Sequence, residues 1–156
     1  MNKRELIEIL VNELRLIDGG ISPLTASLPA NRQYTFELDC HENVYPYFMF
    51  MEEINDFPTI CFYIVEESIA HIGAGIRYKT AVVSLRGYVH EALGEEEGSN
   101  WWSEALIDDI DHVLSRIPER NPCIVDLRVL QLSTDEGIMT PYGVSDIIFT
   151  ITYEAE

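Results

Sequence analysis

Thr80-Ala81-Val82-Val83-Ser84-Leu85-Arg86-Gly87-Tyr88-Val89-His90-Glu91 is the stretch on which the fold turns. It is rich in β-branched residues, which fit a pleated, half-buried surface, and it predicts one long strand. Directly after it, the acidic tip Gly94-Glu95-Glu96-Glu97-Gly98 leads to Ser99 or Asn100 as a helix N-cap. Glutamates at that place also suit the positive end of a helix dipole. A helix over residues 100–117 follows. Trp102, Leu106, Ile107, Ile110, Val113, Leu114 and Ile117 cover one arc of it, about 140° wide. Glu104, Asp108, Asp109 and Asp111 lie outside that arc, and Trp101 projects from the middle of the polar face. Pro118 and Pro122 end the helix, and two further strands are expected over residues 124–132 and 144–153. Asp135-Glu136-Gly137 and Pro141-Tyr142-Gly143 form the loop between them.

Upstream, Asn2 followed by Glu5 has the form of a capping box, and the helix it opens runs to about Ile17 before Asp18-Gly19-Gly20 stops it. Leu6, Ile7, Leu10, Val11, Leu14 and Ile17 share one stripe, while Ile9 and Leu16 fall on a separate flank. Such a helix packs on two sides, the second against a loop of its own subunit or against a neighbour. Residues 21–31, with Pro23 and Pro29, read as a loop or extended arm. Residues 34–38 alternate and read as a strand. Residues 44–55 carry Tyr45, Tyr47, Phe48, Met49, Phe50 and Met51 without a decisive period, and suit either core or a contact surface. A strand over residues 59–67 and a mobile connection over residues 68–79, containing Gly73 and Gly75, complete the chain. The expected fold is α+β, a mainly antiparallel sheet of about four to five strands packed against two principal helices.

A chain of 156 residues with 47% hydrophobic composition is expected to form one domain, residues 1–156. Such a domain buries roughly 70% of the surface its unfolded form exposes. Its longest apolar runs fall far short of the roughly 20 residues of a membrane helix. Glu5, Glu8 and Glu13 interrupt what would be the apolar part of a signal peptide, so the protein is read as cytoplasmic. Cys40, Cys61 and Cys123 make an odd set without a C-x-x-C pair, as expected of free thiols, with Cys61 and Cys123 inside apolar strand patterns. The formal charge is −17, with net −5 over residues 1–90 and net −12 over residues 91–156. A surface of that sign repels phosphate backbones and argues against sequence-specific nucleic-acid binding.

No catalytic motif emerges. Residues 73–80 place Gly73 and Lys79-Thr80 at phosphate-loop spacing, but Tyr78 stands where the second glycine belongs, and a strand follows where a helix is required. Asp109 and His112 have the i, i+3 spacing of carboxylate-bridged metal sites, yet such sites need matching ligands from other helices. The Asp108, Asp109, Asp111 run is therefore read as a solvated polar face. His41, His71 and His90 are scattered, and no serine or cysteine stands in a nucleophile elbow. Trp101 has two readings: a subunit contact, since aromatic groups are enriched at interfaces, or a side chain folded back on the preceding loop.

Phe57-Pro58-Thr59-Ile60 entering a strand, Leu85-Arg86-Gly87-Tyr88-Val89 ending one, and Ile107-Asp108-Asp109-Ile110 within the 101–117 helix form an ordered set of landmarks. With the strand around residues 126–132, Asp135-Glu136-Gly137, Pro141-Tyr142-Gly143 and the closing Thr152-Tyr153, this order resembles the tail-terminator, or tail-completion, proteins of long-tailed bacteriophages. The resemblance spans residues 57–153. It implies a virion structural protein that forms a hexameric ring at the head-proximal end of the tail tube, stops tube polymerisation and provides the interface for head joining.

Its implied partners are other copies of itself, as a homo-hexamer, the tail-tube protein and a head-side connector. DNA passes through the lumen without specific binding, and no membrane, cofactor or catalytic turnover is involved. The implied location is the virion tail, assembled in the host bacterial cytoplasm. Two features depart from the family: a longer, more aromatic 21–51 region and the large negative charge. Trp101, Ile9 and Leu16 are the candidate contact residues, and Glu95, Glu96 and Glu97 are expected to approach the lumen or a ring face. The rival readings are another neck or minor tail protein, and a small acidic ligand-binding or hydrolytic domain, which would need a deep pocket with convergent titratable groups.

Overall fold

The computed structural model describes residues 1–94 and 96–156. Five strands, β1 (Val44–Tyr45), β2 (Thr59–Gly73), β3 (Ile76–His90), β4 (Ile124–Thr134) and β5 (Tyr142–Ala155), form one sheet in the order β1-β2-β3-β5-β4. The two-residue β1 runs parallel to β2, and every other pair is antiparallel. Helices α1 (Lys3–Leu14) and α2 (Gly98–Leu114) cover one face, and a four-residue helix α3 (Ile117–Arg120) leads into β4.

Strand alternation decides what the sheet buries. Ala81, Val83, Leu85 and Val89 of β3, with Ile147, Phe149, Ile151 and Tyr153 of β5, point to the helices and are fully buried. They pack against Leu6, Leu10 and Leu14 of α1 and Leu106, Ile110, Val113 and Leu114 of α2. Two glycines let α2 approach closely. A Cβ at Gly87 would stand 2.4 Å from Leu106 Cδ2, and one at Gly143 would stand 2.2 Å from Ser103 Oγ and 2.8 Å from the Ser99 carbonyl. On the opposite face, Cys61, Tyr88 and Val144 form a smaller cluster under Tyr45, Met49, Met51, Ile54 and Phe57. The 44–55 region thus splits. Met49 and Met51 pack inward, whereas Tyr47, Phe48 and Phe50 remain exposed.

Four expectations about the elements change. Residues 68–79 are not a mobile connection but continue β2 and β3, with Ser68 opposite Thr80 and His71 opposite Arg77. Gly73 and Gly75, at φ 102° and 77°, close the turn in so few residues that pairing extends almost to the tip. The run at phosphate-loop spacing is a hairpin turn entering a strand, as its rejection from the sequence required. Helix α1 has the expected capping box, with the Glu5 amide donating to Asn2 Oδ1 at 3.0 Å and the Asn2 amide to Glu5 Oε2 at 2.8 Å. It ends at Leu14 instead of Ile17, because Leu16 and Ile17 turn tightly back onto the carbonyls of Glu13 and Leu14.

Helix α2 begins at Gly98, so Ser99 lies inside it and donates no cap; it stops at Leu114, and Pro118 sits in the first turn of α3, where a proline's missing N–H costs nothing. Residues 34–38 form no strand. They make one isolated bridge, Ile21 with Thr35, and Asp39 just beyond them makes another with Asp18, although Phe36 and Leu38 are buried as the alternation requires. Cys40 and Cys61 are buried, but Cys123 is exposed and immediately precedes β4.

Candidate functional site

The outer surface of α2 is organised around a carboxylate that amphipathicity had placed in solvent. Asp109 has no exposed surface. Its Oδ1 accepts from the Tyr34 hydroxyl at 2.7 Å and from the Glu37 amide at 3.3 Å, and its Oδ2 accepts from the Leu38 amide at 3.0 Å. The 34–38 segment thereby satisfies two main-chain donors with a side chain where a strand would have used a neighbour's carbonyls. One turn on, His112 Nε2 lies 2.8 Å from Ser22 Oγ, and its ring stacks on Tyr34 at 4.0 Å between centroids. Burial pushes the Asp109 carboxyl up to about 6, with the hydrogen bonds from Tyr34, Glu37 and Leu38 acting against it. Burial first, and the Arg116 charge second, lower His112 to about 4. The Tyr34 hydroxyl is raised by burial and by its bond to Asp109.

Asp109 and His112 therefore work as a structural clasp. The carboxylate and the imidazole face different partners, Tyr34 with the 37–38 main chain and Ser22 respectively, so their i, i+3 spacing does not converge on a common point. Asp108 is exposed and Asp111 half-buried, as a polar face predicts; Asp109 and His112 are the corrections. Sequence reasoning had no view of this clasp, because its partners come from residues 22–38, some 70 or more positions away in the chain.

Beside the clasp, a groove of about 570 Å³ runs along α2. Tyr34 and Glu37 form one wall, and Trp101, Glu104, Asp108 and Asp111 line the helix side. Trp101 is 44% exposed and meets Trp102 edge to face at 4.7 Å. It is Trp102, not Trp101, that turns back to the preceding loop, its indole N–H donating to the Gly94 carbonyl at 3.1 Å.

The remaining candidate residues are dispersed. Glu96 and Glu97 are exposed in the turn before α2, and Glu95 lies outside the described residues. Ile9 is half-buried and packs against the subunit's own core, and Leu16 lines a small depression with Arg15, His41 and Glu42. Glu96, Glu97 and Trp101 thus share the N-terminal end of α2, while Ile9 and Leu16 stay on the α1 side. Large apolar side chains that composition alone could not place are exposed elsewhere: Ile69, Ile72 and Ile76 on the β2–β3 hairpin, Leu130 and Leu132 on β4, and Ile138 at 86% exposure in the loop before β5. That last loop is tied together by Asp135, which accepts from the amides of Met139 and Val144.

The family model described as Bacteriophage Tail Tube Terminator Protein matches residues 21–156. The chain belongs to this family. A curated relative, the tail tube terminator protein p142 of Escherichia phage T5, is 27% identical over 115 residues, which cover 66% of this chain and 69% of the relative. Among solved structures, a chain in the virion of the native gene transfer agent (GTA) particle is similar at a TM-score of 0.46 and 11% identity, over 74% of this chain and 81% of that one. The expected family is thus the observed one, and the chain is a phage tail structural protein. The matched residues take in the whole sheet, α2 and the clasp, and also the 21–51 region that had looked atypical of the family. No helix among the described residues is long and apolar enough to cross a membrane.

Proposed function

We propose that the chain closes into a six-fold ring on the last ring of the tail tube, halts tube polymerisation there and presents its other side to the head-side connector. Membership of the tail tube terminator family over residues 21–156 carries this reading. The subunit's surface is consistent with it. A closed ring needs two different patches on each copy, and this subunit exposes apolar side chains on several separate elements: the β2–β3 hairpin, β4, the loop before β5 and Trp101. Two sheet edges are also open, β4 on one side and, on the other, all of β2 beyond the two residues paired with β1.

The acidic charge supports a passage through which DNA moves without adhering, since phosphate is repelled by a wall of the same sign. The protein acts by binding other virion proteins, without substrate turnover, and assembles on the tail in the host cytoplasm. The two titratable groups that burial perturbs most usefully for chemistry, Asp109 and His112, are both committed to holding the 22–38 segment.

Cryo-electron microscopy of the particle neck tests the placement. One six-fold ring of this chain between the last tube ring and the head is the expected density. Copies distributed along the tube or at the distal tip would contradict it.

A further inference from the structure

The β2–β3 hairpin is the chain's charge anomaly. Residues 68–80 contain no Asp or Glu in a protein of net charge −17, and they carry Arg77 and Lys79. The register sets Ile69 opposite Lys79 and His71 opposite Arg77, so these four share one face of the hairpin, the face that farther along the sheet turns toward the helices. Arg77 donates to the main-chain oxygen of Glu156, and Lys79 is in no ion pair among the described residues. Ile69, Ile72 and Ile76 are 50%, 63% and 43% exposed. The isoleucines of this cationic strand pair are left exposed by their own subunit.

The α2 groove is its complement. Glu37, Glu104, Asp108 and Asp111 outnumber Arg116, which also lines the groove, and are in no ion pair among the described residues; the exposed Trp101 supplies an apolar and cation-attracting surface at the same place. Hairpin and groove lie on different parts of the subunit. The groove runs along the outside of α2, while the hairpin tip lies beyond Ala155 at the far end of the sheet from Tyr142, the end near which α2 begins. We infer that the β2–β3 hairpin of one copy docks in the acidic α2 groove of the next, Lys79 facing Asp108 and its neighbours, with Ile69 of the same hairpin face against Trp101. The contact is heterologous, so repeating it builds a ring. It rests on the ring reading above and names the surfaces that form the ring's seam.

Charge reversal tests the pairing with built-in rescue. Particles lacking the chain are complemented with K79E alone, with D108K alone, and with both variants together. In each single variant the hairpin and the groove carry like charges at this point. In the mixture every alternating contact is again between opposite charges, and an even-numbered ring can close. The inference predicts loss of length-controlled tails with either single variant and recovery with the mixture. Normal tails with both single variants, or a mixture no better than either, would overturn it.

Thermal unfolding of each purified variant at the wild-type temperature shows that a lost function is not a lost fold. Should either variant unfold, K79C paired with D108C in a C123S background replaces it. Disulfide-linked multimers in assembled tails support the contact, and monomers only overturn it. The ring reading fails separately, if particles without the chain already have tails of normal length.

Discussion

The Tyr34 hydroxyl donates to Asp109 Oδ1 at 2.7 Å across 75 positions of sequence, and this bond fastens the 34–38 segment, which joins no sheet strand, to α2. Removing the acceptor strands the Tyr34 hydroxyl and the amides of Glu37 and Leu38 in a site with no exposed carboxylate surface. Asp109→Ala is expected to cost ~3 kcal/mol or more, since each buried donor left without a partner costs about 1–3 kcal/mol. Urea unfolding of the two proteins measures it. A loss below ~1 kcal/mol would mean that water replaces the carboxylate and the clasp is dispensable.

The clasp also sets a pH signature. Asp109 holds its proton in the fold up to about 6, against 3.8 in the unfolded chain, so its contribution is complete below pH 3.8 and is lost as pH rises through about 6. His112 refuses its proton down to about 4, against 6.5 unfolded, so its contribution is present above pH 6.5 and is lost as pH falls toward about 4. The two slopes oppose each other across one window and partly cancel in the wild type. Asp109→Asn should leave the His112 slope alone and lose stability more steeply on acidification. His112→Gln should do the reverse and gain stability. Melting temperatures at the two ends of the window decide the matter, and parallel profiles for both variants would refute the assignment.

Adjacent tryptophans should behave oppositely. Trp101→Ala removes a half-exposed ring and is expected to change monomer stability by less than ~1 kcal/mol while weakening assembly on tails. Trp102→Ala removes a core-packed ring and the bond to the Gly94 carbonyl, and is expected to cost about 3 kcal/mol. Thermal melts and tail assembly are read on the same preparations. Equal destabilisation by both would assign Trp101 to the fold.

Glu96 and Glu97 are exposed and tied into no ion pair among the described residues, so reversing them tests the surface without touching the core. Glu96→Lys with Glu97→Lys should leave the melting temperature within a few degrees of wild type and slow DNA ejection or impair head joining. Unaltered infectivity would remove the acidic turn from the lumen and from the ring faces.

What the sequence made legible was what neighbouring residues encode. The β-branched run of β3, the capping box of Asn2 and Glu5 and the apolar arc of α2 are local patterns, and each element stands where its pattern lies, within a few residues. The errors arose where a partner is distant. Alternation at residues 34–38 correctly marked Phe36 and Leu38 as buried, but the donors beside them are satisfied by Asp109, which only the folded chain brings near. The same contact turned a carboxylate on a polar face into a buried one. Gly73 and Gly75 suggest a mobile connection over residues 68–79 in the sequence, whereas they form the turn that lets two long strands pair. The landmarks from residue 57 to 153 pointed to the family to which the chain belongs, and they follow the order of β2, β3, α2, β4 and β5 along the chain.

Termination of the tail tube is the central claim, and tail length measures it. Disrupting this gene in its source genome and imaging the particles by electron microscopy should reveal tubes that run past the normal length and carry no heads. Tails of normal length joined to heads would contradict the account.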